Sequence, residues 1–293
     1  MSPSKAPART GEPIRIRVLD GIRGLAILLV MAFHLTRYMP GVERFTRFGW
    51  AGVDLFFVLS GFLITRVLWD LKPSPRYYPV FYWRRFLRIL TLYYVVIAAV
   101  FYFFPWITPG VPAPSSSFYL LHISNFYVAI LGAWPGGWGL NPTWSLAIEE
   151  QFYGLWPWVI RRLSVSGLIK VSLGFALASL ALRTGARVAG VSSTACYVLP
   201  FMRMDGLVLG AALAGVAMLP AGLRRLYNIA GGVLVAGFCA AAYMLWRDPI
   251  NLFSESSLGM QTAGYTLISL FFASLMIRVL VSPKSLLGRI FEN

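Results

Sequence analysis

Long apolar stretches separated by short polar ones dominate this chain. Each is long enough to cross a hydrocarbon core of about 30 Å as a helix. Eight are recognised, at residues 20–37, 50–69, 86–104, 144–160, 168–186, 198–219, 227–246 and 258–281. The pattern predicts an all-α fold, a polytopic transmembrane helix bundle of about eight to ten membrane segments.

Residues 118–142 do not fit this pattern. Their apolar part is short and passes into a run rich in Gly and Pro. A full crossing would place Arg161 and Arg162 outside the cell, against the rule that short basic loops stay inside. We therefore expect a re-entrant or interfacial segment, which membranes tolerate when the irregular backbone is buried in protein or lines a wet cavity.

The placement of basic residues predicts the orientation. Residues 70–83 and the helix start that follows are basic, whereas residues 105–117 carry no charge. The first loop is therefore expected to be cytoplasmic and the second external, which puts the N-terminus inside. Residues 1–13 are polar and basic without a signal-peptide core, and we expect a flexible cytoplasmic tail followed by one membrane domain, residues 14–293.

Composition narrows the class of protein further. The chain is 58% hydrophobic and 13% charged, with a mean hydropathy of +0.68, which lies outside the soluble range. Its 26 Lys and Arg residues are scattered between apolar stretches, so membrane lipids are expected contacts and nucleic acid is not. Cys196 and Cys239 match no metal-ligand spacing, so we expect two buried structural thiols and no metal.

Ionisable residues inside membrane spans are costly and usually functional. They could serve a channel, a transporter or an enzyme. The residues to explain are Arg23, His34, Asp54, Glu149, Glu150, Arg203 and Asp205.

Arg23 and His34 are eleven residues apart, so both lie on one stripe of the first helix, about 16 Å apart. His34 is the natural candidate for acid–base chemistry near neutral pH. The other histidine, His122, lies in the irregular segment, where we expect a structural role. The alternative for the first pair is that Arg23 snorkels to the interface and His34 only packs between helices.

Two further groups of polar residues stand at or within the spans. Asp54 and Ser60 lie in a stretch whose small residues let helices approach closely, which by itself describes a packing helix with one buried acid. Glu149 and Glu150 are expected at a helix N-terminus, where the dipole favours negative charge and capping is one explanation. Adjacent side chains point in different directions, so at least one carboxylate should face the interior.

Arg85 and Arg88 are three residues apart at a cytoplasmic helix start, and so are expected on one face. Such a fork suits phosphate oxygens. Topological anchoring or contact with lipid headgroups is the alternative.

Five motifs occur in order between residues 15 and 215. They are Arg23 with His34, preceded by Leu19-Asp20-Gly21; Phe56-Phe57-Val58-Leu59-Ser60-Gly61; Arg85-Phe86-Leu87-Arg88; the run from Trp144 to Tyr153; and Arg203-Met204-Asp205-Gly206. Together they resemble the acyltransferase 3 family of membrane acyltransferases.

The resemblance implies transfer of an acyl group, commonly acetyl, from cytoplasmic acyl-CoA (acetyl-CoA) to a hydroxyl of a carbohydrate or lipid-linked glycan at a bacterial inner membrane. It implies that His34 is the catalytic histidine and Arg23 its partner. It further implies that Arg85 and Arg88 bind the coenzyme A phosphates and that Glu149 or Glu150 is another active-site group. The remaining motif residues, with substrate-binding or structural roles, are Asp54, Ser60, Trp144, Ser145, Arg203 and Asp205.

The sequence departs from the family at its end. It stops at Asn293, where many members continue, so we expect the family's final helix to be lacking. We also expect the chain to lack the extracytoplasmic esterase-like domain of some relatives, which implies either independent action or a separate extracytoplasmic transferase. A transporter or flippase and a catalytically inactive membrane partner are the alternatives to an enzyme.

Overall fold

The structure of the protein is a computed structural model that describes residues 17–36, 39, 41–136, 138–247 and 254–292. These residues are helical apart from connecting turns, and they contain no strand, which confirms the predicted fold class. The predicted tail, residues 1–13, lies outside the described residues.

The α-helices follow one another along the chain, joined by short turns. In order they are α1 (Arg17–Thr36), α2 (Glu43–Thr46), α3 (Gly52–Leu71), α4 (Tyr77–Arg85), α5 (Thr91–Ile107), α6 (Ser116–Leu120), α7 (Ser124–Leu131), α8 (Thr143–Arg162), α9 (Val165–Val188), α10 (Ser193–Val198), α11 (Pro200–Arg203), α12 (Asp205–Ala217), α13 (Gly222–Arg247), α14 (Tyr265–Val281) and α15 (Leu286–Glu292). A 3-10 turn, Arg47–Ala51, leads into α3, and π turns, Phe86–Leu90 and Met260–Gly264, lie before α5 and α14.

Six helical segments within the described residues are long and apolar enough to cross a membrane. They are Arg17–Thr36, Arg47–Leu71, Tyr77–Ile107, Val165–Val188, Gly222–Arg247 and Met260–Val281. All six had been predicted from the apolar pattern. The chain is a multi-pass membrane protein.

The other two predicted spans differ from that pattern. Residues 144–160 do form a helix, α8, but its middle carries Glu149 and Glu150 and its C-terminal end carries Arg161 and Arg162, which lower its hydropathy. Residues 198–219 are not one helix, because Leu199 is extended, with φ −77° and ψ 134°, and Pro200 starts a new helix. Proline disfavours helical backbone in the residue before it and has no N–H to continue the helical hydrogen bonds. Only α12 remains as a continuous apolar helix there.

The described residues between 118 and 142 contain no helix that could cross a bilayer, as predicted. The longer of the two helices in this part of the chain is α7, whose eight residues span about 12 Å. It ends at Gly132, whose φ of 63° lies in the left-handed region that favours glycine. The rest of the segment up to α8 is irregular at the residues described.

Helix α3 lies in the centre of the bundle and packs closely on α12. A Cβ at Gly61 would overlap the carbonyl oxygen of Leu207, so the two backbones touch. The predicted small-residue contact is therefore present, and its partner is α12.

At the edge of the bundle α13 packs along α14 and leaves most of its surface exposed. The prediction of two buried thiols is consequently half wrong, since Cys196 is buried and Cys239, on α13, is exposed.

Candidate functional site

A polar cluster forms where α1, α3, α4 and α8 meet. Its centre is Glu149 on α8, whose carboxylate has hydrogen bonds with the side chains of Ser60 on α3 and Tyr153 on α8. Arg85 on α4 and Arg23 on α1 are close enough for their positive charges to attract the carboxylate of Glu149. The structure thus brings together residues from four of the five sequence motifs.

Arg85 lies between an acid and an aromatic ring. Its Nε is 3.7 Å from Oε1 of Glu150, and its guanidinium carbon is 3.5 Å from the ring centre of Tyr153. These side chains are partly covered, with Arg85 19% and Glu150 14% exposed. The buried Nε of Arg85 has no hydrogen-bond partner among the described residues.

Arg85 and Arg88 do not share one environment, contrary to the expectation that they form a fork on one helix face. Arg85 ends α4, and the π turn Phe86–Leu90 begins with the next residue. A π turn has i→i+5 hydrogen bonds and is wider than an α turn, so residues three apart no longer align. Arg88 is exposed, whereas Arg85 turns towards α8.

The acidic pair does not cap α8, which corrects the prediction that it stands at a helix N-terminus. The helix begins at Thr143 and has no acidic residue in its first turn, so Glu149 and Glu150 lie in its second turn. The motif residues before them make contacts within the protein. Trp144 is buried, with its ring centre 4.6 Å from that of Tyr197, and Ser145 Oγ donates a hydrogen bond to the carbonyl of Pro142 at 3.1 Å.

Arg23 and His34 lie at different depths along α1. Arg23 Nη1 forms an ion pair with Oδ1 of Asp20 at 3.0 Å, and both side chains remain about 40% exposed. His34 lies in the last turn of α1, is exposed, and contacts the ring of Phe33 edge-on at 5.2 Å. Arg23 lies towards the other end of α1 from His34, and it is the residue that reaches the carboxylate cluster.

Arg203 and Asp54 form a buried ion pair that the sequence did not predict as a pair. Nη1 of Arg203 lies 3.0 Å from Oδ1 of Asp54, and both side chains are 0% exposed. The contact lies outside hydrogen-bond geometry. The guanidinium also stacks over Tyr265 at 3.9 Å and faces Tyr197 at 5.1 Å, so aromatic rings surround the cation.

A second buried pair joins Arg183 on α9 to Asp205, with Nη2 and Oδ2 3.0 Å apart. Arg183 also donates hydrogen bonds to the carbonyl oxygens of Met202 and Gln261 and to Oγ1 of Thr266. It therefore holds the break before α12 against the π turn before α14. Sequence reasoning missed Arg183, although an arginine within the predicted span 168–186 was the signal that could have found it.

His122 occupies an aromatic site away from the carboxylate cluster. Its ring centre is 4.0 Å from that of Tyr93, and Nδ1 is 3.4 Å from the hydroxyl of Tyr94. Burial lowers the pKa of the imidazole. The carbonyl of His122 accepts a hydrogen bond from Nε2 of Gln151 at 2.9 Å, which ties the irregular segment to α8. This geometry agrees with the structural role expected for His122.

The described residues form a multi-pass helical protein with a partly exposed cluster of carboxylates, arginine and hydroxyls among its helices. They contain no group of three or more His, Cys, Asp or Glu that could hold a metal ion. The chain matches the acyltransferase 3 family model, described as an acyltransferase domain, over residues 16–285. It belongs to this family of transferases.

Named relatives share this region of the chain. Peptidoglycan O-acetyltransferase OatA of Listeria monocytogenes is 30% identical over 303 residues, covering 94% of this chain and 45% of the relative. Putative peptidoglycan O-acetyltransferase YrhL of Bacillus subtilis is 34% identical, covering 47% and 23%. O-acetyltransferase OatA of Staphylococcus aureus is 29% identical, covering 67% and 34%. The chain thus spans less than half the length of these relatives, and no solved structure matches it.

Proposed function

We propose that this protein is a membrane O-acyltransferase that takes an acyl group, most simply acetyl, from cytoplasmic acyl-CoA and transfers it to a hydroxyl of a carbohydrate. The observation that carries the proposal is the cluster of Arg85, Glu149, Glu150 and Ser60, built from the family's motifs and partly open to the surface. The names of the relatives point to the glycan of peptidoglycan as acceptor.

The donor is assigned to the Arg85 end of the bundle. Arg85 combines a buried Nε that lacks a hydrogen-bond partner with a partly exposed side chain, and Arg88 and Arg84 beside it are exposed. Guanidinium groups bind phosphate oxygens by charge-assisted hydrogen bonds, which suits the phosphates of coenzyme A. The positive-inside rule puts this end, and the N-terminus, on the cytoplasmic side of the inner membrane, where acyl-CoA is available.

His34 is assigned as general base. It lies about 16 Å along α1 from Arg23 and is exposed at the opposite end of that helix. An imidazole nitrogen of His34 would take the proton of the acceptor hydroxyl as that oxygen attacks the thioester carbonyl. The C–S bond would then break, so that coenzyme A leaves as its thiolate and takes up the proton from the imidazolium. A bound acyl-CoA would supply the activated carbonyl at the end of a long flexible arm.

The pairing of charges weakens the transporter alternative. A proton relay or anion path needs ionisable groups that can exchange partners or ions. Asp54, Arg203, Arg183 and Asp205 instead form two completely buried ion pairs. Of the other ionisable residues singled out in the sequence, Arg23, Glu149 and Glu150 lie with Arg85 at the proposed donor site.

The test is turnover of labelled acetyl-CoA by the purified protein in detergent or nanodiscs. Parent, His34→Ala and His122→Asn would each be incubated with peptidoglycan glycan fragments, with other sugars and with water alone. We expect acceptor-dependent release of coenzyme A in the parent and in His122→Asn, because His122 lies in a separate aromatic site. His34→Ala should lose more than a hundredfold, the size of a general-base contribution.

Two results would count against the proposal. A folded parent that neither binds coenzyme A nor turns over acetyl-CoA would remove the enzyme assignment and favour an inactive membrane partner. Full activity in His34→Ala would leave the transferase standing and remove His34 as its base.

A further inference from the structure

Arg85 is held on two sides by α8. The face of its guanidinium lies 3.5 Å from the ring centre of Tyr153, and its Nε edge lies beside Glu150. Because Nε is buried, the exposed fifth of the Arg85 side chain belongs to its other atoms. The plane of the guanidinium is therefore set by the ring beneath it.

The Tyr153 ring is itself fixed. It is 3% exposed, and its hydroxyl is hydrogen-bonded within the group formed by Glu149 and Ser60. A ring held by packing at one end and by its hydroxyl at the other cannot rotate away from the cation. A tyrosine ring attracts an arginine over its face, and more strongly as the contact is desolvated.

The π turn removes one source of support for Arg85 within its own helix. Arg85 is the last α-helical residue before Phe86–Leu90, so the following turn is wider than an α turn and offers no regular i+3 or i+4 neighbour on its face. A long arginine side chain loses rotamer freedom when it is ordered, and here the ordering contacts come from α8.

We propose that Tyr153 is a positioning residue for the donor site. Its ring orients the Arg85 guanidinium so that the edge away from Nε is presented to a phosphate group. This rests on the proposed function, since the anion it assigns to Arg85 is a phosphate of coenzyme A. This role of Tyr153 follows from its contact with Arg85 and does not depend on the motif to which the residue belongs.

The experiment measures binding of coenzyme A itself, without turnover, by calorimetry on the purified protein. Tyr153→Phe keeps the ring and should bind within about twofold of the parent. Tyr153→Leu removes the ring and should bind roughly three- to tenfold more weakly, the range of a partly desolvated cation–π contact. If Tyr153→Leu is unfolded by thermal melting, Tyr153→Met, which also lacks a π system, takes its place.

A second background separates positioning from general damage. In Arg85→Gln the ring has no cation to orient, so adding Tyr153→Leu should cause no further loss of affinity. Equal losses in both backgrounds, or no loss in the parent background, would overturn the proposal for Tyr153 while the donor site stands. If the folded parent binds no coenzyme A, the donor site falls, and the role of Tyr153 with it.

Discussion

Nη1 of Arg203 lies 3.0 Å from Oδ1 of Asp54, and neither side chain is exposed. The pair connects α3 in the centre of the bundle to the end of α11, just before the turn at Met204 and the start of α12. Removing one partner would leave the other as an uncompensated buried charge, which costs about 3–5 kcal/mol. The pair is thus a condition for packing α12 on α3.

Asp54→Asn and Arg203→Met should each lower the free energy of unfolding by about 3–5 kcal/mol. The double variant should lose clearly less than the sum of the two single losses, because it leaves no unpaired charge. Denaturation of all four proteins in one detergent measures the coupling between the two sites. Strictly additive losses would show that the two side chains do not depend on each other.

Gly61→Ala should destabilise the bundle by about 1–3 kcal/mol, because the added methyl group overlaps the backbone of Leu207 on α12. Gly174→Ala on α9 is the matched control, since a Cβ there meets nothing within 4 Å. It should leave stability unchanged or raise it slightly through helix propensity. Thermal melts of the two variants compare them directly, and equal melting temperatures would contradict the close contact of α3 and α12.

His122 should make stability depend on pH. Its pKa in the folded protein is lowered from the ordinary value of 6.5 by burial, so the unfolded chain binds the proton more readily. The stability that the buried neutral imidazole contributes is fully present above pH 6.5. It is lost as the pH falls from there through the lowered pKa of His122. His122→Asn tolerates the positive φ of 53° and removes this titration.

Melting temperatures of the parent and His122→Asn between pH 8 and pH 5 test this expectation. The parent should lose more stability than the variant as the pH falls. Parallel curves would mean that the imidazole does not contribute to the pH dependence.

Glu150→Gln should tighten the binding of coenzyme A. The carboxylate lies 3.7 Å from Nε of Arg85 and competes with a phosphate for its charge, whereas the amide keeps the shape without the charge. A gain of roughly two- to tenfold is expected for a partly exposed pair. Asp70→Asn, which removes an exposed acid at the end of α3, is the control and should change affinity little. Weaker binding in Glu150→Gln would contradict this competition and would mean that Glu150 instead holds Arg85 in its binding position.

Hydropathy predicted the six long spans because crossing a bilayer is a local property of a segment and needs no knowledge of its neighbours. Pro200 marks the break at Leu199 in the sequence, but the apolar residues around it led to the prediction of one continuous span, 198–219. The motifs named Asp54 and Arg203 separately. Their pairing depends on two segments about 150 residues apart, and only the fold brings them together.

The sequence named several residues that the fold brings together, but it did not predict their geometry. Glu149, Arg85 and Ser60 were named from motifs, yet the position of Glu149 in the second turn of α8 follows from where that helix starts. The separate environments of Arg85 and Arg88 follow from a π turn, which no residue type in Phe86–Leu90 announces. Tyr153 was included only as the end of a motif, because a cation–π contact between two helices leaves no spacing signal.

The π turn at Phe86–Leu90 can also be regarded as one residue more than the regular helix between Tyr77 and Ile107 requires. In phase, one residue is about 100° of rotation. The lipid-facing side of α5 is therefore set independently of the α8-facing side of α4. Winding Phe86–Leu90 as a regular α-helix would rotate the whole of α5 by about this angle relative to Arg85, whereas deleting one residue from the turn would restore an unbroken α-helix and leave the two sides in register.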